Sequence, residues 1–200
     1  ATRKNDSSDR GKVVSAVCEL KDGQYLLGNE NDGILLFDRH AGMVVPYRTA
    51  QNVGTAIYNV FSMLVDDQTL WIAAFQRGIE AVDLKSRTVK SYLADPSDPS
   101  SRVFVLFRSS SGRIWAGTSV GLFYYDRFED RFVTRDPKVR ISDITEDHAG
   151  RLLGDVGSRV HGDAHIGVLH GDDIVDSVSH DSDGVSVRPE GLYDPGLVIG

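Results

Sequence analysis

One cysteine, Cys18, stands in 200 residues, which excludes an internal disulfide and any all-cysteine metal site. No apolar run approaches the roughly 20 residues of a spanning helix, so no membrane span is expected in this segment. The net charge of −7 argues against a nucleic-acid surface. The chain has neither an initiator methionine nor an apolar leader, and so reads as an excised or processed piece. No stretch sustains a 3.6-residue apolar period, and helix is not expected to dominate. Also missing are a Gly-x-Ser-x-Gly elbow, a phosphate loop, a dinucleotide fingerprint and a His-Glu-x-x-His helix. Accordingly no catalytic residue and no cofactor are assigned.

What is present falls into two parts. Residues 154–200 hold nine acidic and two basic residues, the whole of the net charge. They contain one aromatic residue, Tyr193, and no Lys, Thr, Asn, Gln, Phe, Trp, Met or Cys. Residues 1–153 balance 20 basic against 20 acidic residues. A boundary near Leu153 follows, giving an N-terminal segment 1–12, an organised part 13–153 and an atypical acidic tail 154–200.

Residues 13–153 repeat internally. Gly112-Arg113-Ile114-Trp115-Ala116-Gly117-Thr118 is matched 44 residues earlier by Gln68-Thr69-Leu70-Trp71-Ile72-Ala73-Ala74. Gly23-Gln24-Tyr25-Leu26-Leu27-Gly28 lies another 45 before that, and Gly150-Arg151-Leu152 opens a fourth copy. Two further anchors keep register: Gly33-Ile34, Gly78-Ile79 and Gly121-Leu122, then Phe37-Asp38, Val82-Asp83 and Tyr125-Asp126.

Each copy offers four short β-like runs rich in Val, Ile and aromatics, separated by turn residues. They are Val13–Leu20, Tyr25–Gly28, Gly33–Asp38 and Met43–Tyr47, then Ile57–Val65, Leu70–Ala74, Gly78–Leu84 and Thr88–Tyr92. The third copy gives Val103–Arg108, Ile114–Thr118, Gly121–Asp126 and Arg131–Arg135. Four strands in about 44 residues make one blade of a β-propeller. The fold expected is therefore all-β: a partial β-propeller of three four-stranded blades and the start of a fourth at 141–152, followed by an irregular tail.

Mid-strand alternation assigns Trp71 and Trp115 to the space between blade sheets, with Leu26 in their place in the first copy, against the alternative of an aromatic sugar platform. Asp22-Gly23 and Ser111-Gly112 suit tight hairpins; Asp66-Asp67-Gln68 lacks the glycine, so its turn should differ. Gly33, Gly78 and Gly121 should permit close backbone approach or a bulge. Cys18, in an inner strand, reads as a small buried hydrophobe. The linker from Asp95 to Ser101 carries two prolines and cannot be a central strand.

Ser111-Gly112-Arg113-Ile114-Trp115-Ala116-Gly117-Thr118, with Gly121-Leu122 and Tyr125-Asp126, resembles the two-component regulator propeller repeat. Asp95-Pro96-Ser97-Asp98-Pro99-Ser100-Ser101 before Val103 resembles that family's linker. The resemblance covers about residues 13–153. It implies the periplasmic sensor region of a Bacteroidetes hybrid two-component histidine kinase, the extracytoplasmic part of an inner-membrane receptor. It further implies signal transduction by phosphorelay, oligosaccharide ligands, and the remaining blades and sensor domains of the parent as partners. The phosphoacceptor helix and ATP-binding boxes of a kinase do not occur in this segment, so it is not expected to transfer phosphate itself. A propeller lyase and a purely structural interaction propeller are the alternatives. Against the lyase, His40 and His148 occupy different repeat positions and form no pair.

In a propeller the loops joining second to third strands share one face. Here they are Asn29-Glu30-Asn31-Asp32, Phe75-Gln76-Arg77 and Ser119-Val120. Amides and carboxylates take sugar hydroxyls, Arg donates in a fork and Phe stacks. Asn29, Glu30, Asn31, Asp32, Phe75, Gln76 and Arg77 are therefore the candidate ligand-binding residues, against the plain alternative of a solvated loop surface.

The fourth copy breaks off at Leu153-Gly154-Asp155-Val156, where a large aromatic is due. Reverse translation of Leu153 to His161 with a one-base shift permits Trp-Ala-Thr-Leu-Gly-Arg-Gly-Phe, which restores the anchor. The hypothesis is that the tail is a frameshifted translation; an intact frame through codons 150–165 overturns it. His161, His165 and His170, with Asp163, Asp172 and Asp173, are divalent-metal ligand types, but no element aligns them, so no metal site is assigned. Finally, a few blades outside a closed ring leave outward faces uncovered, so exposed apolar surface is expected.

Overall fold

The computed structural model describes residues 13–29, 33–47, 59–74, 76–136, 139–157, 164–169, 174–181 and 184–189. The chain divides into two compact units, residues 1–106 and 107–200.

The first sheet has the order β1-β2-β3-β4: β1 (Val14–Lys21), β2 (Gln24–Asn29), β3 (Ile34–Asp38) and β4 (Met43–Pro46). Asp22 and Gly23 join β1 to β2 with φ of 45° and 79°. Two successive left-handed residues match the right-handed twist of the flanking strands. The second sheet is β5 (Val60–Asp66), β6 (Thr69–Ala74), β7 (Gly78–Asp83) and β8 (Val89–Tyr92), again in sequence order. Its first hairpin differs as expected: of Asp67 and Gln68, only Asp67 is left-handed, at φ 52°. The proline linker ends in a 3-10 turn, Pro99–Ser101, whose N-cap Asp98 accepts from Ser100 N at 2.8 Å.

The third sheet is β9 (Val103–Arg108), β10 (Ile114–Thr118), β11 (Leu122–Asp126) and β12 (Arg131–Asp136). The fourth copy opens as the repeat demands, with β13 (Ile141–Glu146) and β14 (Leu152–Gly157). The two hairpins share one turn. Ser109 N donates to Arg113 O at 2.9 Å and Gly112 N to Ser109 O at 2.8 Å. Asp147 N donates to Arg151 O at 2.9 Å and Gly150 N to Asp147 O at 3.0 Å. Gly112 and Gly150 close the turns at φ 79° and 78°.

The expected strands are present within a few residues of their bounds; Ile57 and Tyr58 lie outside the described residues. The tail is more regular than its composition suggested. β15 (Ala164–Leu169), β16 (Ile174–Asp181) and β17 (Gly184–Pro189) extend the fourth sheet to five antiparallel strands. The irregular tail expected from about Gly154 is corrected to that extent. Valine alternates with serine in Ser177-Val178-Ser179 and Val185-Ser186-Val187. β-branched residues at period two favour extended backbone even where aromatics are few.

The repeated aspartates have a common role. Asp38, Asp83 and Asp126 end the third strand of their blades, and each Oδ1 accepts two backbone N–H groups of the following turn. The donors are His40 and Ala41, both at 2.9 Å, Lys85 and Ser86 at 3.0 and 2.6 Å, and Phe128 and Glu129 at 2.8 and 3.1 Å. Such a turn satisfies backbone donors that leave the ladder. The Ala41 N–H, then the Gln24 amide, hold Asp38 below the usual carboxylate range. The Ser86 N–H and hydroxyl do the same for Asp83.

Within residues 1–106 the core lies between the first two sheets. Leu26, Ile34, Val60, Leu70, Ile72 and Val82 are almost fully buried there, with Ala16, Cys18 and Leu20 packed against them. Cys18 is half-buried rather than fully enclosed, and burial pushes its thiol up to about 11. Serine hydroxyls stitch the inner strands together: Ser15 Oγ donates to Val60 O, and Ser62 Oγ accepts from Leu106 N at 3.0 Å. Blade 1 has the uncovered apolar face expected, with Val17 and Val44 more than half exposed.

Candidate functional site

The candidate loops lie at the ends of buried strands. Asn29 closes β2 and is only 2% exposed. Its N–H donates to Gly33 O at 2.9 Å and its Nδ2 to Leu27 O at 3.3 Å, so the side chain shapes its own loop. Its buried Oδ1 has no donor among the described residues. Gln76 is exposed and left-handed at φ 55°, and Arg77 N donates to Ala74 O at 3.1 Å across the turn. Glu30, Asn31, Asp32 and Phe75 lie outside the described residues.

Gly78 fixes where this loop begins. It is left-handed at φ 70°, and a Cβ there would stand 2.2 Å from Leu93 O and 2.3 Å from Tyr92 O. Only glycine lets β7 approach the end of β8 so closely, as expected for the second anchor.

The structure adds a residue that the loop reading left out. Glu80 follows the loop on β7 and is 2% exposed. The Arg77 guanidinium pairs with it at 3.4 Å, while the Arg77 side chain itself is 42% exposed. A carboxylate taken out of water needs such a partner. Arg77 is therefore paired with a buried anion while its own side chain stays partly exposed. The signal was in the repeat: Glu80 stands where the other copies carry Leu35 and Phe123. A buried acid needs a partner, so its place in an otherwise apolar register position singles it out.

The repeated tryptophans are structural, as their alternation predicted. Trp71 and Trp115 are 4% and 7% exposed, and each packs a tyrosine ring, Tyr92 at 5.7 Å and Tyr124 at 5.8 Å. The Arg113 guanidinium covers the second pair, 5.7 Å from the Trp115 ring and 5.0 Å from Tyr124.

Within residues 107–200 a separate cleft of about 470 Å³ opens between the β9–β10 and β13–β14 hairpins. Glu146 spans it, accepting from Ser110 N at 2.6 Å and Ser110 Oγ at 2.8 Å. Sequence reading did not single it out, because it exists only once two hairpins about 38 residues apart face each other. Among the described residues no group of three or more His, Cys, Asp or Glu could hold a metal ion. Of the residues considered for a tail site, His161, Asp163, His170, Asp172 and Asp173 lie outside the described residues.

No family model matches the sequence, and no curated protein matches it. Solved structures do resemble it. The extracellular domain of BT3049, assigned to a hybrid two-component system of B. thetaiotaomicron, is similar with a TM-score of 0.64 and 16% identity, over 96% of this chain and 24% of that one. The extracellular domain of BT4673, assigned to a one-component system of the same organism, gives a TM-score of 0.61 and 16% identity over 88% of this chain and 27% of that one. A virginiamycin B lyase from Staphylococcus aureus, solved with quinupristin, gives a TM-score of 0.56 and 11% identity over 94% of this chain and 73% of that one. This chain thus spans about a quarter of the extracellular domains it resembles. At these identities the likeness establishes the β-propeller fold, which agrees with four consecutive antiparallel blade sheets. Among the described residues no helix is long and apolar enough to cross a membrane.

Proposed function

We propose that the chain belongs to the extracytoplasmic, ligand-sensing propeller of a hybrid two-component sensor histidine kinase, and that its ligands are oligosaccharides. One observation carries the reading. The Ser111-Gly112-Arg113-Ile114-Trp115 motif, with its partial copies at 67–71 and 22–26, occurs in a propeller whose structural neighbours include the extracellular domains of BT3049 and BT4673. In this reading the segment binds and the parent's cytoplasmic domains carry the phosphorelay, across an inner membrane that the parent spans elsewhere. The site is the loop face of Glu30, Asn31, Asp32, Phe75, Gln76 and Arg77, with the buried Asn29 shaping the first loop from within. There Arg77, anchored by Glu80 at 3.4 Å, presents donors to ring hydroxyls.

Calorimetry on the intact parent sensor with a panel of oligosaccharides tests this. Saturable heat is expected, and Arg77→Ala and Phe75→Ala should each weaken binding by about 1–3 kcal/mol. Glu80→Gln should weaken it less, since the amide still accepts from the guanidinium. Unchanged affinity in all three variants removes this face from the site. A lyase reading draws on the quinupristin-bound propeller it resembles. However, His40 sits in the β3–β4 turn and His148 in the β13–β14 turn, which are different places in the repeat. Turnover of quinupristin by this chain would move the conclusion to an enzyme; no response to any small molecule would move it to an interaction propeller. The acidic segment 154–200 remains, in our reading, a candidate frameshift product, decided by resequencing codons 150–165.

A further inference from the structure

We propose that the cleft between the β9–β10 and β13–β14 hairpins is a second binding site, for a neutral polyhydroxylated molecule of one or two sugar rings. The inference rests on the reading of the chain as a binding propeller, but it uses other residues than the loop face. The space has a simple origin. Ser109, Ser110 and Ser111 on one hairpin face Ala149 and Gly150 on the other, and none of these side chains is long enough to fill the gap. About 470 Å³ lies within the range of small-molecule sites.

The floor is apolar: Trp115, Leu122 and Leu152 are 7%, 3% and 7% exposed. Such a floor suits the C–H face of a sugar ring.

The rim is polar and of both signs. Ser109 Oγ and Ser111 Oγ lie 2.9 Å apart, and Ser109 Oγ also donates to Arg113 O at 3.2 Å. Each hydroxyl retains acceptor capacity. The Glu146 carboxylate takes two bonds from Ser110, out of roughly four it can accept. Arg151 also lines the cleft and is held to its own turn by Asp147, which accepts from its Nε at 2.6 Å. An anionic ligand would meet Glu146 and a cationic one Arg151, whereas hydroxyl groups donate to the first and accept from the second. That pairing serves hydroxyl groups, which can use both partners at once.

The chain has two tryptophans, so Trp71→Phe leaves Trp115 as the sole indole reporter. We expect cellobiose, maltose or lactose to produce a saturable change in its emission, while acetate and putrescine produce none. Ala149→Leu fills the cleft from an exposed turn without touching Glu146 or Ser110, and should weaken that response at least tenfold. The emission maximum of the free variants reports whether Trp115 is still buried, and calorimetry on the unsubstituted 200-residue chain gives a second readout. Disaccharide heat that Ala149→Leu leaves unchanged overturns the cleft and spares the proposed function. Equal responses to the charged probes overturn the ligand class. No heat and no emission change with any disaccharide overturns the cleft and also counts against oligosaccharide sensing by this segment.

Discussion

Blades 1 and 2 share strand order, anchors and aspartate turns, yet differ sharply in burial. In β7 every residue from Gly78 to Val82 is buried, whereas in its counterpart β3 only Ile34 is. The reason is the number of neighbours. Blade 2 is packed by the blade 1 core on one side and meets β9 on the other, where Phe61 and Phe104 lie 6.0 Å apart. Blade 1 packs Ala16, Cys18 and Leu20 inward and turns its opposite face outward. There Tyr25 stacks on Phe37 at 6.3 Å, and the register Tyr25–Phe37–Val44 runs across three strands. Two blades of like sequence pattern thus have unlike energetics, because half of each blade's core is supplied by the next one.

The largest expected effect comes from the aromatic cores. Trp71→Ala should cost about 3–5 kcal/mol in urea unfolding, since it empties a packed site 4% exposed. Tyr25→Ala, on the half-exposed outward face, should cost about 1 kcal/mol. Equal losses would break the comparison.

A smaller contrast lies in two left-handed glycines. Gly78→Ala drives a Cβ into the Tyr92–Leu93 backbone and should cost about 2–4 kcal/mol. Gly42, at φ 62°, has nothing within 4 Å of its notional Cβ. Gly42→Ala should therefore cost only the conformational term, about 1–2 kcal/mol. Thermal melts of the two variants measure the difference.

Smaller still is the effect of charge on the outward face. Val17→Lys with Val44→Lys should change stability by no more than about 0.5 kcal/mol per site while reducing self-association in light scattering. Undiminished association would show that this face is not the sticky one.

The least effect belongs to the aspartate turns, which are local and so should behave alike in both blades. Asp38 and Asp83 titrate below the ordinary carboxylate value in the folded chain. Their contribution is present above the unfolded value of about 3.9 and is lost as pH falls through the lower folded value. Asp38→Asn and Asp83→Asn should each lower Tm slightly at pH 7, with the gap to the parent closing in acid. A gap that widens in acid, or that differs between the blades, would show that the turns are coupled to their neighbours.

Sequence alone determined the blades, because strand alternation, turn glycines and aspartate caps act within a few residues and recur at a fixed spacing. It placed Trp71 and Trp115 inside and made the linker at Pro96 and Pro99 non-strand, on chemistry that each residue carries by itself. It misjudged the tail, where alternating valines form strands without the aromatic residues that mark the other blades. Other features were decided only in three dimensions. Which face of blade 1 is bare depends on neighbours. Glu80 became an anchor for Arg77 because the strand buries it. The cleft under Ser110 and Glu146 exists because two hairpins distant in sequence come face to face, and no local rule fixes how far apart they stand.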